Sequence, residues 1–398
     1  MRVSLIVDNL GPYHVARLDA AGSKVDLTAI ELRKKSTTYD WETNGGGQFS
    51  TRTLPIAEKS WDSATDSLER ALEESCPDVV AINGWGDYLA PQAMRWCAKN
   101  GVAVVMMSES TEADRPQSRL KTLAKRRLVR MAGSSLVGGE PQKRYMVSLG
   151  ARRERVFTGY DVVDNEFFSR ASTGRKENGE RAKTYFLASN RFIERKNLGL
   201  LIDAYAQLET QCDWDLCLLG DGELKGELIA QCRSHGLFVE ERAPWEASGA
   251  ERSAQTVFFP GFRQIDELPR FYAGAGCFVH PALAEPWGLV VNEAMASGLP
   301  VLVAERVGCA QDLVEAGVNG FTFDPADCAE LASLLQRVAA EDFPLAEFGR
   351  ASRQKIAILG PESFASGLLE AARTAFELGP VRPSMGDRIL LNLLCATR

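Results

Sequence analysis

The fold class predicted for this 398-residue chain is α/β, with two parallel-sheet domains. Three observations predict it. Short apolar runs alternate with helical patterns almost throughout, which is the mark of βαβ units and parallel sheets. The rhythm resets once, at residues 169–183 (SRASTGRKENGERAK), a polar, charged stretch with no apolar period. The length is enough for two domains of ordinary size, each with a filled core.

In the first half, apolar runs predict strands at 3–7, 25–30, 79–82, 102–106 and 135–137, with helical patterns at 61–74 and 91–99 between them. Pro12 suits the first turn of a helix after the first strand. In the second half, strands are predicted at 184–187, 216–219, 257–259, 277–279 and 301–303. Helices at 198–208, 224–233, 265–272, 290–297 and 329–339 separate them. The predicted domains are 1–168 and 183–360, joined by a linker at 169–182. A final segment, 361–398, begins with an apolar helix at 361–378 that crosses back to brace the first domain. Residues 240–255 are predicted to be a surface insert, and 389–394 are apolar enough to dock against something.

Composition excludes several function classes. A hydrophobic share of 45% argues for a globular chain and against disorder. The net charge of −7 argues against a broad nucleic-acid-binding face. Nine scattered cysteines without a C-x-x-C, and only three histidines, argue against a zinc site or a disulfide framework. Reduced thiols in a cytoplasmic protein fit better. The opening MRVSLIVD breaks its apolar run too early for a signal peptide, and no run approaches the roughly 18 apolar residues of a membrane span. Any membrane contact is therefore expected to be peripheral.

Three segments that follow predicted strands carry the chemistry, because ligands of open α/β sheets sit at the carboxyl ends of strands. After 185–187 come Arg191 and Lys196, a fork and a point charge before a helix that together suit two phosphates. Two solvated surface cations would read the same way. After 217–219 comes the turn Gly220-Asp221-Gly222, which lets a ligand approach the backbone or merely connects. After 277–279 comes EPWGLVVNEAMASGLP, with Glu285 and Glu293 eight positions apart around a Pro286-Trp287-Gly288 corner. On one continuous helix, eight residues would rise about 12 Å. That exceeds the roughly 5 to 9.5 Å separation of a hydrolytic carboxylate pair. Pro286 and Gly288 also oppose one helix. Glu285 is thus expected to end a strand loop, and Glu293 to lie in the first turns of a helix. Both suit accepting hydrogen bonds from hydroxyls; two helix-start acids favoured by the macrodipole is the plainer alternative.

Together these pieces resemble the family 4 retaining glycosyltransferases of the GT-B fold, over most of 184–330. The likeness includes Arg191 and Lys196-Asn197, the Gly220-Asp221-Gly222 turn, Phe259-Pro260-Gly261, the Glu285 to Pro300 run, and GVNG at 317–320 with Asp324 and Asp327. It implies two Rossmann-like parallel-sheet domains facing a central cleft. It implies an NDP-sugar donor in the second domain and a hydroxyl acceptor in the first, such as a saccharide, a lipid-linked saccharide or a small molecule. Arg191 and Lys196 would bind the donor diphosphate, Glu293 the ribose and Glu285 the transferred sugar. The backbone of Trp287, Gly288, Leu289 and Val290 would cap the phosphates. The resemblance further implies transfer with retained anomeric configuration, no cofactor and no required metal. A GT-B nucleotide-sugar epimerase and a non-catalytic nucleotide-sugar sensor remain alternatives.

The first half is similar to the family at fewer points. Where members carry a glycine-rich loop after the first strand, this chain has Gly11 alone, which still lets a phosphate or an acceptor approach the backbone. His14 is either a packing residue near a helix start or a contact to acceptor or sugar. Glu109, after the strand at 102–106, takes the place of a polar sugar- or acceptor-binding residue. His280 is open between a structural role and a sugar contact. Gly45-Gly46-Gly47 is expected to be a flexible turn, and Asp164 to hold the hinge.

Segment 115–139 carries Arg115, Arg119, Lys121, Lys125, Arg126, Arg127 and Arg130 without one acid, with Leu120, Leu123, Leu128 and Met131 at helical spacing. It is either a solvated helix packed by its leucines or a basic amphipathic helix for peripheral contact with an anionic membrane, at the inner face, through 115–130.

Overall fold

The computed structural model describes residues 1–33, 47–54, 61–112, 118–173, 184–208, 212–246 and 255–396. Gly45, Gly46, Arg115 and residues 174–183 lie outside these. The chain divides into two compact units, Met1–Asp164 with Leu359–Arg398, and Asn165–Ile358.

The first unit runs β1 (Arg2–Val7), α1 (Pro12–Gly22), β2 (Asp26–Glu31), β3 (Ser50–Thr53), α2 (Trp61–Ser75), β4 (Val79–Asn83) and α3 (Leu89–Asn100). It continues with β5 (Ala103–Ser108), α4 (Arg119–Met131), β6 (Ser134–Val137), α5 (Glu140–Ser148) and β7 (Val156–Thr158). The sheet order is β3-β2-β1-β4-β5-β6-β7, and all pairings are parallel. The chain winds outward from β1 to β3 and then returns to lay β4 beside β1. The order therefore reverses at β1/β4, the place where an open parallel sheet leaves a crevice. Local chemistry sets the helix ends. Pro12 follows an extended Gly11 (φ −79, ψ 170) at the start of α1. The Ser118 side chain accepts from the Lys121 amide at 3.3 Å to cap α4. Gly101, in the left-handed region at φ 67, stops α3.

The second unit runs α6 (Asn165–Thr173), β8 (Tyr185–Ser189), α7 (Leu198–Tyr205), β9 (Asp215–Leu219), α8 (Lys225–Ser234), β10 (Phe238–Glu240), β11 (Thr256–Gly261) and α9 (Leu268–Gly274). Then come β12 (Cys277–His280), α10 (Leu289–Ala296), β13 (Val301–Ala304), α11 (Ala310–Leu313), β14 (Gly320–Phe323), α12 (Cys328–Ala339) and α13 (Leu345–Ile356). Its sheet order is β10-β11-β9-β8-β12-β13-β14, again wholly parallel. Here the reversal falls at β8/β12. The loops that leave these two neighbouring strands carry Arg191 to Lys196 and Glu285 to Gly288.

Two terminal helices complete the first unit: α14 (Pro361–Leu378) and α15 (Met385–Ala396). Phe364, Ala365, Leu368, Ala371, Ala372 and Ala375 of α14 are buried in a cluster with Val3, Leu5 and Val7 of β1. The opposite face of the sheet is covered by α2, α3 and α4, and Leu391 of α15 joins that second cluster.

The structure moves one predicted boundary. Residues 165–168 were expected in the first domain and 169–173 in the linker, yet all of them form α6 of the second unit. Phe168 is buried edge-on against Tyr272, with ring centroids 5.7 Å apart. Its carbonyl accepts from the Ser297 hydroxyl at 3.3 Å, and the Asn165 amide donates to the Ile356 carbonyl at 2.9 Å. One aromatic anchor in a polar helix gives no readable apolar period, so the sequence hides it.

Candidate active site

The loop after β8 is built to hold one cation. Residues Glu194–Lys196 form a single 3-10 turn, closed by Asn197 in the left-handed conformation at φ 55. The Asn197 amide donates to the carbonyls of Pro281 at 3.1 Å and Pro325 at 2.9 Å. These bonds fix the turn against the loop after β12. Lys196 is only 7% exposed, and its Nζ donates to Glu285 Oε2 at 2.6 Å. Arg195 reaches the same oxygen at 3.2 Å and also donates to the Ala284 carbonyl. Burial lowers the Lys196 pKa first; Glu285 opposes that shift, and Arg195 and Arg191 add to it. Arg191 itself is exposed.

The corner that follows Glu285 is equally determined. Glu285 forms a parallel bridge with Val307, and its carbonyl accepts from the Gly308 amide at 2.8 Å. The Trp287 indole is buried and donates to Asn292 Oδ1 at 2.9 Å, so the side chain is a wedge under α10. Gly288 turns the chain at φ 105, which a Cβ would resist. Helix α10 then starts at Leu289. The amides of Leu289 and Val290 fall in its first turn, where no carbonyl four residues earlier is available within the helix. That end of the helix favours negative charge. As expected from Pro286 and Gly288, the two glutamates do not share one continuous helix. Glu293, on α10, is 1% exposed, and the Tyr272 hydroxyl donates to its Oε2 at 2.6 Å. Its carboxylate therefore already has a partner inside the protein.

Two buried polar side chains at the β8/β12 reversal have no protein partner. Neither nitrogen of the His280 imidazole is hydrogen-bonded, nor is either end of the Asn190 amide. His280 is fully buried and Asn190 nearly so. Burial first, then Lys196 and Arg195, push the His280 pKa well below its ordinary value, so the ring is neutral. Orphaned buried groups are costly unless a ligand or water completes them. They make the loops after β8 and β12 a candidate site for a polar guest.

At the Gly220-Asp221-Gly222 turn the chain packs closely against its own backbone. A Cβ on Gly220 would lie 1.9 Å from the Asn190 carbonyl oxygen, and one on Gly222 would lie 2.6 Å from that of Phe192. The Phe192 amide donates to the Asp221 carbonyl at 2.8 Å, and the Gly222 amide to Asp221 Oδ1 at 2.7 Å. The backbone that these glycines admit is the chain's own, and it positions the Asn190–Arg191 loop. Asp324 and Asp327 are also explained locally: Asp327 caps α12 by accepting from the Glu330 amide at 2.9 Å, and Asp324 accepts from the Ala326 amide at 2.9 Å.

Gly11, His14 and Glu109 lie in the first unit, at the carboxyl ends of β1 and β5. The Leu10 amide donates to Glu31 Oε1 at 2.9 Å, so a buried carboxylate of β2 shapes the Gly11 loop. His14 is half-buried in α1, its pKa pushed down to about 3 by burial and the Arg17 cation. Buried Arg17 donates to the Val162 carbonyl at 3.0 Å and lies over the Tyr160 ring. Burial, then Glu109, raise the Asp161 carboxyl well above the usual range, and Glu109 hydrogen-bonds it. Arg195, Asn190 and Tyr272 in the second unit, and Asp161 in the first, are candidate residues the sequence did not single out. Only Arg195, beside Lys196 in a cationic run, had a readable signal. Among the described residues, no three His, Cys, Asp or Glu side chains are placed to hold a metal ion. None of the nine cysteines forms a disulfide.

Residues 171–355 match the model for glycosyl transferases group 1. That segment is similar to group 1 glycosyltransferases, and the two-sheet architecture is shared with solved GT-B glycosyltransferase structures. Sulfoquinovosyl transferase SQD2 of Arabidopsis thaliana is 31% identical over 201 residues, covering 48% of this chain and 35% of the relative. The putative glycosyltransferase EpsF of Bacillus subtilis is 29% identical over 344 residues, covering 82% and 83%. The structure of HepE of Anabaena, solved in complex with UDP and glucose, superposes with a TM-score of 0.68 at 20% identity, over 92% of this chain and 98% of that one. The chain spans about a third or less of the length of the curated relatives it matches first, at 35%, 8% and 9%.

Proposed function

We propose that this chain transfers a hexosyl group from a nucleoside diphosphate sugar to a hydroxyl acceptor with retained anomeric configuration, in glycoconjugate synthesis. The observation that carries the reading is the Lys196–Glu285 pair at 2.6 Å, its lysine buried, beside the first turn of α10. Lys196, with Arg191 and the α10 amides, meets the diphosphate, the one part of the donor whose negative charge grows as the bond to sugar C1 breaks. Glu285 holds Lys196 in place and accepts from sugar hydroxyls. Asn190 and His280 supply the polar groups that the free protein leaves unmatched. Glu293, held by Tyr272, lies nearest the ribose. The first unit, through Gly11, His14 and Glu109, takes the acceptor.

In the transfer step, the bond from C1 to the diphosphate oxygen breaks and a bond from C1 to the acceptor oxygen forms on the same face. The acceptor proton passes to the departing diphosphate. No protein carboxylate forms an adduct, and no resident metal is required, because the cations and helix end stabilise the leaving group. The complementary membrane reading is that basic segment 115–130 brings the enzyme to an anionic surface, at the cytoplasmic face, where a lipid-linked acceptor resides. No helix among the described residues is long and apolar enough to cross a membrane.

A thermal-shift screen of UDP-, GDP-, ADP- and dTDP-sugars, followed by product analysis with the best donor, tests this. A ligand bound at one hundred times its Kd adds about 2.7 kcal/mol to stability, so the preferred donor should stand out. The α-anomer from an α-linked donor is the expected product. An inverted product would overturn retention. Release of an epimerised sugar without any acceptor would make the chain an epimerase, and donor binding without any product would make it a sensor.

A further inference from the structure

The exposed apolar side chains of this protein are unevenly placed. On α4, Leu120 is 79% exposed and Leu123 is 52% exposed, three residues apart on one face. On α15, Met385 is 79%, Ile389 54% and Leu393 59% exposed, at a spacing of four that aligns them on one stripe. A solvated helix normally turns its leucines inward and its charges outward. Helix α15 does the reverse: Leu391 is its one buried residue, and the stripe opposite is apolar.

The two helices are tied together. Arg127 of α4 pairs with Asp387 of α15 at 2.9 Å. Carbonyl Cys395 of α15 accepts from the Tyr88 hydroxyl at 3.2 Å, which seats the far end near α3. On these two helices the exposed charges are cationic: Arg119, Lys121, Arg126 and Arg130 on α4, and Arg388 on α15. Helix α4 contains no acid, and the single acid of α15, Asp387, is spent on Arg127. Apolar side chains bordered by cations complement the acyl and phosphate layers of an anionic bilayer.

We propose that α4 and α15 together form a docking face for an anionic lipid bilayer. Leu120, Leu123, Met385 and Ile389 enter the interface, while Arg119, Lys121, Arg126 and Arg388 meet lipid phosphates. The proposal rests on the membrane reading of 115–130 and adds to it a second, C-terminal helix that supplies half of the apolar anchorage. It is independent of the chemistry of the donor site.

The test is co-sedimentation at low salt with vesicles of phosphatidylglycerol and phosphatidylcholine, against vesicles of phosphatidylcholine alone. Two double variants are compared with the unaltered chain: Met385→Ser with Ile389→Ser, and Lys121→Glu with Arg126→Glu. All four residues are exposed, so melting temperatures should hold, which a thermal melt verifies. The unaltered chain should sediment with the anionic vesicles only. Each double variant should bind at least about tenfold more weakly, since several buried CH2 groups or two lipid-facing charges are lost. Normal binding by the α15 variant beside weak binding by the α4 variant would overturn the role of α15 and leave the single-helix reading. Absence of binding by the unaltered chain would overturn both. A dimer in light scattering that the α15 variant converts to monomer would assign the face to a second copy of this chain instead. Donor binding, followed by thermal shift, should be the same in all three proteins.

Discussion

Lys196 and Asn190 stand six positions apart in one loop, yet their removal should be felt in opposite ways. Lys196 is a buried cation with its own carboxylate partner, and its place in the proposed reaction is on developing charge. Lys196→Ala should lower turnover by about a hundredfold or more, the usual cost of deleting one preorganised stabiliser. Asn190 has a buried amide with no protein partner, so the folded protein bears its desolvation. Asn190→Ala should therefore leave the melting temperature unchanged or raise it, while weakening donor-sugar binding about tenfold, the loss of a net hydrogen bond to a charged or polyhydroxyl guest. Thermal melts with and without donor read both quantities in one experiment. A clear loss of stability without donor, and unchanged binding, would mean that Asn190 is a packing residue. At this scale, the sequence disclosed residues that stand out by type. Arg191, Lys196, Glu285 and Glu293 are charges placed just after predicted strands. Asn190 and Tyr272 stayed hidden because an amide and a phenol in an apolar context carry no pattern until the fold brings them to β8 and α10.

Among the elements, α14 shows how far a helix depends on its neighbours. Gly367 lies in its interior, where glycine normally costs about 1 kcal/mol relative to alanine. Here a Cβ would meet the Thr158 carbonyl oxygen at 2.5 Å and Leu136 Cδ1 at 2.9 Å. Similarly, a Cβ on Gly133 would meet the backbone of Ala375 at 2.9 Å. The helix thus rides directly on the ends of β6 and β7, and propensity is overridden by contact. Gly367→Ala should lower the melting temperature despite the gain in helix propensity, whereas Gly226→Ala, with open space around the Cβ, should not. A rise in melting temperature for Gly367→Ala would show that α14 sits further from the sheet. The sequence disclosed α14 and the central strands because their apolar periods are long. It did not disclose β3, β7, β10 or β14. Strand β3 is the exposed, polar Ser50–Thr53 at a sheet edge, β7 and β10 have three residues each, and β14 is entered through Gly320. Edge strands are paired on one side only and need no continuous apolar run, so alternation never becomes visible in them.

For the molecule as a whole, two histidines, one in each unit, should govern tolerance to acid. His14 has its pKa pushed down to about 3, and His280 lies well below its ordinary value. In the unfolded chain both return to roughly 6.5. Below that pH the unfolded chain therefore binds more protons than the folded one, and stability falls as pH drops through this window. Asp161 acts with the opposite sign. Its folded pKa is raised, so its contribution is fully present below the ordinary carboxyl value and is lost as pH rises through the folded one. The histidine contribution can be isolated by comparing melting temperatures at about pH 5 and about pH 7.5. The unaltered chain should melt lower at the acid pH. In a His14→Gln, His280→Gln double variant that difference should shrink, whatever constant cost the substitutions carry at both pH values. The carboxyl term of Asp161 should then dominate the residual slope, and adding Asp161→Asn should flatten it on the other side. An unchanged difference in the double variant would mean that both histidines titrate normally in the folded protein, and that neither the α1 start nor the end of β12 is sealed from water.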